Sequence, residues 1–283
     1  MIYNYSKQAV KESLNVLKIE NHKMREAYVH KLLDYYNGNN TKYYIEGRFD
    51  LDAFREVPPY EANITKKFIN KMSRVYTVGA DRNVNERYDK ISVLKDAKMK
   101  HIERMTRLIG TIACRIMFVD DNMPHFDYQP IYYFHPFFGD DPFKPIAISY
   151  PLMNYTDDVS NSEICQYIHW NEEIYIIFDE NGKVLEEKEH GYGMLPFAFT
   201  HREHQSDSFY VEGANDICSA NEHINITMTE MQLGLRFQMF GQPVVSGADL
   251  GNNQRFGSDV ILELPDGANY DIKSPSGDIN KVI

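Results

Sequence analysis

Residues 172–190 read EEIYIIFDENGKVLEEKEH, and this stretch decides the class of fold. Its first half is rich in β-branched and aromatic residues, which favour strands. Asn181-Gly182 then supplies the pair best suited to the positive φ angles of a tight hairpin turn. A second strand-like run, KVLEEKE, follows the turn directly. The stretch therefore predicts two antiparallel strands joined by a turn over residues 179–182.

The runs on either side of this hairpin have the same strand-like character and are separated by turn residues. They are TIACRIMFV (111–119), QPIYYF (129–134), KPIAISYPL (144–152), EICQYIHW (163–170) and MLPFAF (194–199). Residues 111–200 are therefore predicted to form an antiparallel sheet. Helical spacing of apolar residues precedes it over 6–36, from Asn63 to Gly79, and over 88–109. These helices are expected to pack on the sheet, which predicts an α+β fold.

The helical period returns over residues 214–240. Its apolar positions form a narrow stripe, spaced by seven, four, three and four residues, at Ile217, Ile224, Met228, Met231 and Leu235. A narrow stripe of this kind is typical of helices that pack against copies of themselves or against a parallel neighbour. After the helix, residues 257–278 (GSDVILELPDGANYDIKSPSGD) alternate like paired strands with Pro-Gly turns.

The charge balance of the chain is acidic, with 41 Asp and Glu against 30 Lys and Arg and a formal net charge of −11. A dedicated duplex-binding domain usually carries a basic excess, because neutralising phosphates supplies most of its affinity. Tight binding of nucleic acid is therefore not expected. A protein through which nucleic acid passes without sticking is still compatible with this charge.

Composition and cysteine spacing indicate an ordinary globular protein. No apolar run approaches the roughly 20 residues that span a membrane, and the N-terminus, MIYNYSKQAVKES, lacks the apolar core of an export signal. Three widely spaced cysteines, Cys114, Cys165 and Cys218, show no CxxC spacing. They favour a reducing compartment and no disulfide framework.

Motifs that carry chemistry are weak in this sequence. His201, Glu203 and His204 place two imidazoles and a carboxylate within four residues, which makes them weak candidate metal ligands in a polar loop. No HExxH, GxSxG, Walker A or dinucleotide fingerprint is present. We predict that the chain is not an enzyme and uses no cofactor. The alternative is a metal-dependent hydrolase built on residues 201–204.

Basic residues cluster on two predicted helices. Lys67, Lys71 and Arg74 share one helix face, and residues 100, 104 and 107 are basic along another. One interpretation is a pair of solvated helix faces. The other is an intersubunit basic face or a weak contact to phosphate.

The order of the parts is more specific than any single motif. In order along the chain they are YYNG (35–38), NITKKFINKMSRVYTVG (63–79), GTIACRIMFVDD (110–121), HGYGMLPFAF (190–199), NDICSANEHINITMTEMQLGLRFQMF (215–240), GQPVVSG (241–247), VILELPDGA (260–268) and SPSGDI (274–279). This order resembles the portal, or head–tail connector, protein of tailed bacteriophages over nearly the whole chain.

The resemblance implies a structural protein of the virion, assembled in the host cytoplasm and placed at one vertex of the capsid. Its partners would be copies of itself in a ring, typically of twelve. Further partners would be the terminase large subunit, the head–tail adaptor, and the major capsid and scaffolding proteins. Double-stranded DNA would pass through the ring, during packaging and ejection, without sequence-specific binding. The resemblance implies no cofactor and no membrane partner.

Carried onto this sequence, the resemblance makes residues 1–213 a wing-like α+β domain and residues 214–240 a stem helix. Residues 241–277 become a β clip, and residues 278–283 begin a second stem helix. Stem residues expected to line or back the channel are Asn221, Asn225, Glu230, Gln232, Arg236 and Gln238. Clip residues expected to contact neighbouring subunits and the adaptor are Pro243, Val245, Ile261, Leu264, Pro265, Gly267, Tyr270 and Ile272.

Portal chains continue with further helices, a tunnel loop and a crown, and this sequence does not. Truncation is therefore the expectation. A different virion module, such as an adaptor or a minor capsid protein, is a further alternative.

Overall fold

The computed structural model describes residues 2–38, 58–78, 83, 85–86, 91–92, 95–120, 125–152, 166–204, 207–239, 242–247, 267 and 269–273. Within these residues the protein is a mixed α+β fold with antiparallel sheets, which confirms the predicted class. No helix in this described part of the chain is both long and apolar enough to cross a membrane.

The first helical region, predicted as one helix over 6–36, is two helices. Helix α1 spans Ile2–Leu17 and helix α2 spans Glu20–Asn37. They separate because Ile19 has an extended backbone, with φ −67° and ψ 143°. Helix α2 ends where the sequence predicts, at Gly38, whose φ of 75° lets its N–H reach the Asp34 carbonyl at 2.9 Å.

Two shorter helices follow. Helix α3, Ile64–Met72, begins after Asn63, whose side chain accepts a hydrogen bond from the Lys66 N–H at 2.9 Å. The prediction extended this helix to Gly79, but it ends at Ser73, where the backbone leaves helical geometry at φ −84° and ψ 89°. Helix α4 spans Lys95–Ile109. Its predicted start lies in residues 87–94, most of which are outside the described part.

Eight strands lie in the described residues between α4 and residue 201. They are β1 Thr111–Val119, β2 His125–Ile131, β3 His135–Phe138, β4 Pro145–Leu152, β5 Gln166–Trp170, β6 Ile174–Asp179, β7 Val184–Glu189 and β8 Phe197–His201. Strands β6 and β7 pair antiparallel, which confirms the predicted hairpin. Its turn is closed by Asp179, whose carboxylate accepts from the N–H groups of Asn181 and Lys183, and by Gly182 at φ 81°.

The strands form two sheets, not the single predicted one. One is a five-stranded meander in the order β3-β4-β5-β6-β7, and the other has the order β2-β1-β8. The predicted strand QPIYYF is only half strand, because β2 ends at Ile131 and the next strand, β3, begins at His135. Residues 132–134 instead form the connection through which the chain passes from one sheet to the other.

The core lies on the faces of these sheets. Phe134, Ile148, Ile168 and Trp170 are buried in one cluster, with Trp170 only 2% exposed. A second cluster contains buried residues of α1 and β6 and joins that helix to the five-stranded sheet: Ala9, Val10, Ile174, Ile176 and Phe178. The prediction that N-terminal helices pack on the sheet is thus confirmed for α1.

Helix α5 spans Asn215–Met239, and strands β9, Gln242–Ser246, and β10, Asn269–Lys273, pair antiparallel beyond it. Contacts divide the chain into two compact units. The first comprises Met1–Thr41 and Asn63–Asn221, and the second comprises Lys42–Ala62 and Glu222–Ile283. The division falls inside α5.

Candidate functional site

Helix α5 buries a polar face. The residues on that face are Cys218, Asn221, Glu222, Asn225 and Thr229, none more than 7% exposed. In the first unit, the Asn221 Oδ1 accepts hydrogen bonds from the backbone N–H groups of Ile64, at 2.6 Å, and Thr65, at 3.0 Å. The first N–H groups of a helix have no partner within the helix. Asn221 therefore completes the N-terminus of α3.

In the second unit, Asn225 and Thr229 serve the backbone of residues 60–62. The Asn225 amide accepts from the Ala62 N–H at 3.0 Å and donates to the Ala62 carbonyl at 3.4 Å. The Thr229 hydroxyl accepts from the Tyr60 N–H at 2.9 Å and donates to the Asn225 carbonyl at 2.7 Å. These side chains supply partners to an extended segment that has no helical bonds of its own.

The apolar stripe predicted from the sequence lies on another face of α5. Ile224, Met231 and Leu235 are 42%, 38% and 37% exposed, and we refer to these three residues as the open stripe. The stripe and the buried polar face are separated by about 120° around the helix axis, at 3.6 residues per turn. Ile217 and Met228, the other two residues of the predicted stripe, are half-buried. The helix therefore buries its polar face within the chain and leaves its apolar face partly exposed. This is the reverse of an ordinary amphipathic helix.

Two of the predicted stem residues are buried within the chain. Asn221 and Asn225 are each 1% exposed and bonded to backbone, and their predicted place in the channel region stays a prediction. Glu230 is exposed and Gln232 is half-buried, and their channel role stays a prediction. The side chains of Arg236 and Gln238 lie outside the described part. The four-residue spacing of Asn221, Asn225 and Thr229 is visible in the sequence. It is the signal from which the buried polar face could have been predicted.

The predicted clip is described in part. Strands β9 and β10 place Pro243 opposite Ile272 and Val245 opposite Tyr270. Gly267 has φ 92°, consistent with its predicted turn. Ile261, Leu264 and Pro265 lie outside the described residues. Within residues 242–247 and 269–273, each strand pairs on one side only.

The candidate metal ligands do not form a centre. The His201 Nδ1 lies 3.0 Å from the Thr111 hydroxyl, its ring meets Phe209 edge-on, and burial lowers its pKa. Glu203 and His204 are exposed. Among the residues that the structure describes, no group of three His, Cys, Asp or Glu side chains is placed to hold a metal ion. His201 has a structural hydrogen bond instead.

The two basic helix faces meet. Lys71 and Arg74 of the α3 region line a cavity of about 520 Å³ together with Lys100 and Arg104 of α4. Lys67, predicted as part of the same face, is exposed on α3 and does not line this cavity. The sequence placed these cations on two separate faces, and the packing of α3 on α4 brings four of them together.

The structure also contains a buried serine–histidine cluster that the sequence patterns did not predict. The Ser149 hydroxyl lies 2.8 Å from the Ser13 hydroxyl and 2.8 Å from the His169 Nδ1. Both serines are 0% exposed and His169 is 3% exposed, and burial lowers the pKa of His169 to about 4. Because no substrate can reach these buried atoms, the cluster acts as internal packing between α1 and the sheet. No local sequence pattern predicts this cluster, since its members are 20 to 156 residues apart.

Replacing Asn221 by alanine tests the buried polar face. Asn221→Ala leaves two buried N–H groups without an acceptor, so the free energy of unfolding should fall by about 2–4 kcal/mol. Urea unfolding followed by the fluorescence of Trp170, the single tryptophan, measures this. Glu230→Ala, at an exposed position of the same helix, should change the value by less than about 0.5 kcal/mol. Equal effects of the two changes would contradict the assignment.

A scan of protein-family models found no match to this chain, and a search of curated proteins found none either.

Proposed function

We propose that this chain is a structural subunit of a portal ring in a tailed bacteriophage, with no enzymatic activity. The ring would stand at a capsid vertex and conduct DNA. The terminase large subunit, the head–tail adaptor, and the capsid and scaffolding proteins would dock on it. The order of sequence elements that resembles portal proteins motivates this proposal. The open stripe on α5 carries it, because a row of partly exposed apolar side chains at helical spacing suits packing against a neighbouring copy.

The open stripe supports assembly energetically. Each of its three side chains retains about two-fifths of its exposure, so covering them contributes on the order of 1 kcal/mol apiece. In a closed ring this burial energy would be gained at every contact between copies, in addition to the energy of any other interface. The spacing of seven and four residues between Ile224, Met231 and Leu235 suits a helix packed along its length on another helix.

Two further features fit a ring through which DNA passes. Strands β9 and β10 have unpaired sides within the described residues, and strands of a neighbouring copy would satisfy them. The net charge of −11 on each copy would repel the DNA backbone and keep the channel from holding it. Head-to-tail contacts between copies close into rings when the rotation between them allows it.

The test compares a stripe variant with a matched control. Ile224→Glu/Leu235→Glu should abolish a large assembly that the unaltered protein forms, because each contact would bury two unpaired carboxylates. His223→Glu/Thr227→Glu adds the same acidic groups at exposed polar positions of the same helix and should assemble normally. Analytical ultracentrifugation and electron microscopy report the species, against 33.0 kDa for one chain. Melting curves from circular dichroism establish that both variants fold.

Three results would overturn the proposal. The unaltered protein could stay a monomer at every concentration up to the millimolar range. The stripe variant could form the same rings as the unaltered protein. The control variant could dissociate as completely as the stripe variant, which would assign assembly to general charge repulsion instead of the stripe.

A further inference from the structure

The cavity between the α3 region and α4 concentrates positive charge on an acidic protein. Four cationic side chains, Lys71, Arg74, Lys100 and Arg104, line about 520 Å³, and all belong to the first unit. Asn70 and Thr77 add neutral polar groups to the same lining. Such a concentration is unexpected by chance in a chain with eleven more acidic than basic residues.

Within the described residues, no carboxylate neutralises these cations. Glu103, next to Arg104 on α4, does not line the cavity. Its two oxygens accept hydrogen bonds from the backbone N–H groups of Val75, at 3.2 Å, and Tyr76, at 3.4 Å. Lys71 and Arg74 are exposed and Lys100 and Arg104 are half-buried, so water screens part of the repulsion among the four cations, and a bound anion would lower it further.

The two arginines of the cavity, Arg74 and Arg104, can act as bidentate donors. The Arg74 Nε donates to the Lys71 carbonyl at 2.8 Å, which orients its guanidinium, and no hydrogen bond joins its terminal nitrogens to another of the described residues. The Arg104 Nε is buried and has no hydrogen-bond partner among the described residues. A planar guanidinium binds phosphate oxygens in a bidentate manner, and a lysine ammonium adds a point charge.

We propose that this cavity binds the phosphate groups of a polyphosphate ligand, with Arg74 and Arg104 as bidentate donors and Lys71 and Lys100 as charge partners. A single carboxylate carries one negative charge, whereas a chain of phosphates carries several in a small volume and matches four cations. The phosphates could belong to a free triphosphate or to a nucleic-acid backbone. The site is separate from the open stripe and does not depend on the proposed assembly.

The experiment titrates the full chain with sodium tripolyphosphate by calorimetry at low ionic strength. One equivalent is expected to bind per chain. Arg74→Gln/Arg104→Gln should weaken binding at least about tenfold, because it removes two charge-assisted contacts. The control Lys67→Gln/Arg107→Gln removes the same charge from α3 and α4 outside the cavity and should change affinity less than about twofold. Lys71→Gln/Lys100→Gln provides a second cavity variant if the arginine variant fails to fold.

Competition identifies the source of the phosphates. A DNA oligonucleotide that displaces tripolyphosphate, with the same dependence on the arginines, assigns the site to a backbone, and failure to displace it assigns the site to a free polyphosphate. The proposal is overturned if tripolyphosphate does not bind at millimolar concentration, or if the control loses as much affinity as the cavity variants. It is also overturned if poly-glutamate binds as tightly as tripolyphosphate, since the cavity would then be a docking site for acidic protein segments.

Discussion

Gly110→Ala is expected to lower the free energy of unfolding of the first unit by about 3–5 kcal/mol. Gly110 has φ 95°, where an alanine is strained, and there is no room for its side chain. A Cβ at this position would overlap the Val211 carbonyl oxygen and lie 2.6 Å from the Glu212 carbonyl carbon. Both neighbours are backbone, so neither can turn away as a flexible side chain would.

The cost is large because Gly110 lies where several segments meet. Its carbonyl accepts from the Arg202 N–H at 2.8 Å, and the Ala214 N–H donates to the Leu108 carbonyl at 2.8 Å. The Arg202 side chain in turn donates to the Gly213 carbonyl at 3.0 Å. This junction ties the end of α4 to the chain entering α5, so any shift that accommodates a methyl group breaks several hydrogen bonds.

A matched glycine separates crowding from backbone strain. Gly193 also has positive φ, 64°, but a Cβ there would meet no atom within 4 Å. Gly193→Ala should therefore cost only about 1 kcal/mol, the strain alone. Urea unfolding read by Trp170 fluorescence compares the two variants. If Gly110→Ala were no more destabilising than Gly193→Ala, the close approach at the junction would not exist.

The second large effect is a loss of stability in acid. The pKa values of His22, His135 and His169 are each lowered to about 4, chiefly by burial, which disfavours the charged imidazole. For His22, the neighbouring His135 and Arg25 lower the pKa further and Glu26 opposes them. In the unfolded chain these histidines bind protons near pH 6.5.

The sign of the effect follows from proton binding. Between pH 6.5 and about 4 the unfolded chain holds more protons than the folded one, so stability falls as the pH falls through this window. His169 alone should remove about 2 kcal/mol between pH 7 and pH 5. Below pH 4 the folded protein also binds these protons, and the contribution of the three histidines levels off. Urea midpoints measured from pH 8 to pH 4.5 report the slope.

Replacing the buried imidazole isolates its share of this slope. His169→Phe keeps a planar ring beside Phe137, and Ser13 and Ser149 retain their mutual hydrogen bond at 2.8 Å. The variant should lose stability less steeply than the unaltered protein between pH 6.5 and pH 4.5, with parallel curves above pH 7. An unchanged slope would show that His169 does not titrate in this window and would contradict the prediction.

Local patterns predicted the elements well where the physics is local. The Asn181-Gly182 turn, the strands beside it and the Gly38 helix end depend on backbone preferences of a few neighbouring residues. The break between α1 and α2 was not predicted, because Ile19 is not a residue that favours turns. The division into two sheets was not predicted either. Which strands pair depends on contacts between residues that are far apart in the chain.

The candidate site was predicted less completely, for the same reason. The apolar stripe of α5 was visible as a spacing, but the sequence could not show which face of the helix the chain itself covers. Burial of Asn225 depends on the Ala62 backbone, 163 residues away. The cavity likewise needs α3 to pack on α4 before Arg74 and Arg104 can face a common ligand.

By itself, the sequence determined the α+β class, the hairpin, the long helix and the acidic charge, because these follow from composition and from preferences of adjacent residues. Only the tertiary structure decided that α5 buries Asn221 and Asn225 and leaves its apolar stripe partly exposed, and that two groups of basic residues line one cavity. Burial and charge proximity are properties of residues distant in the chain, and they exist only after the elements have packed.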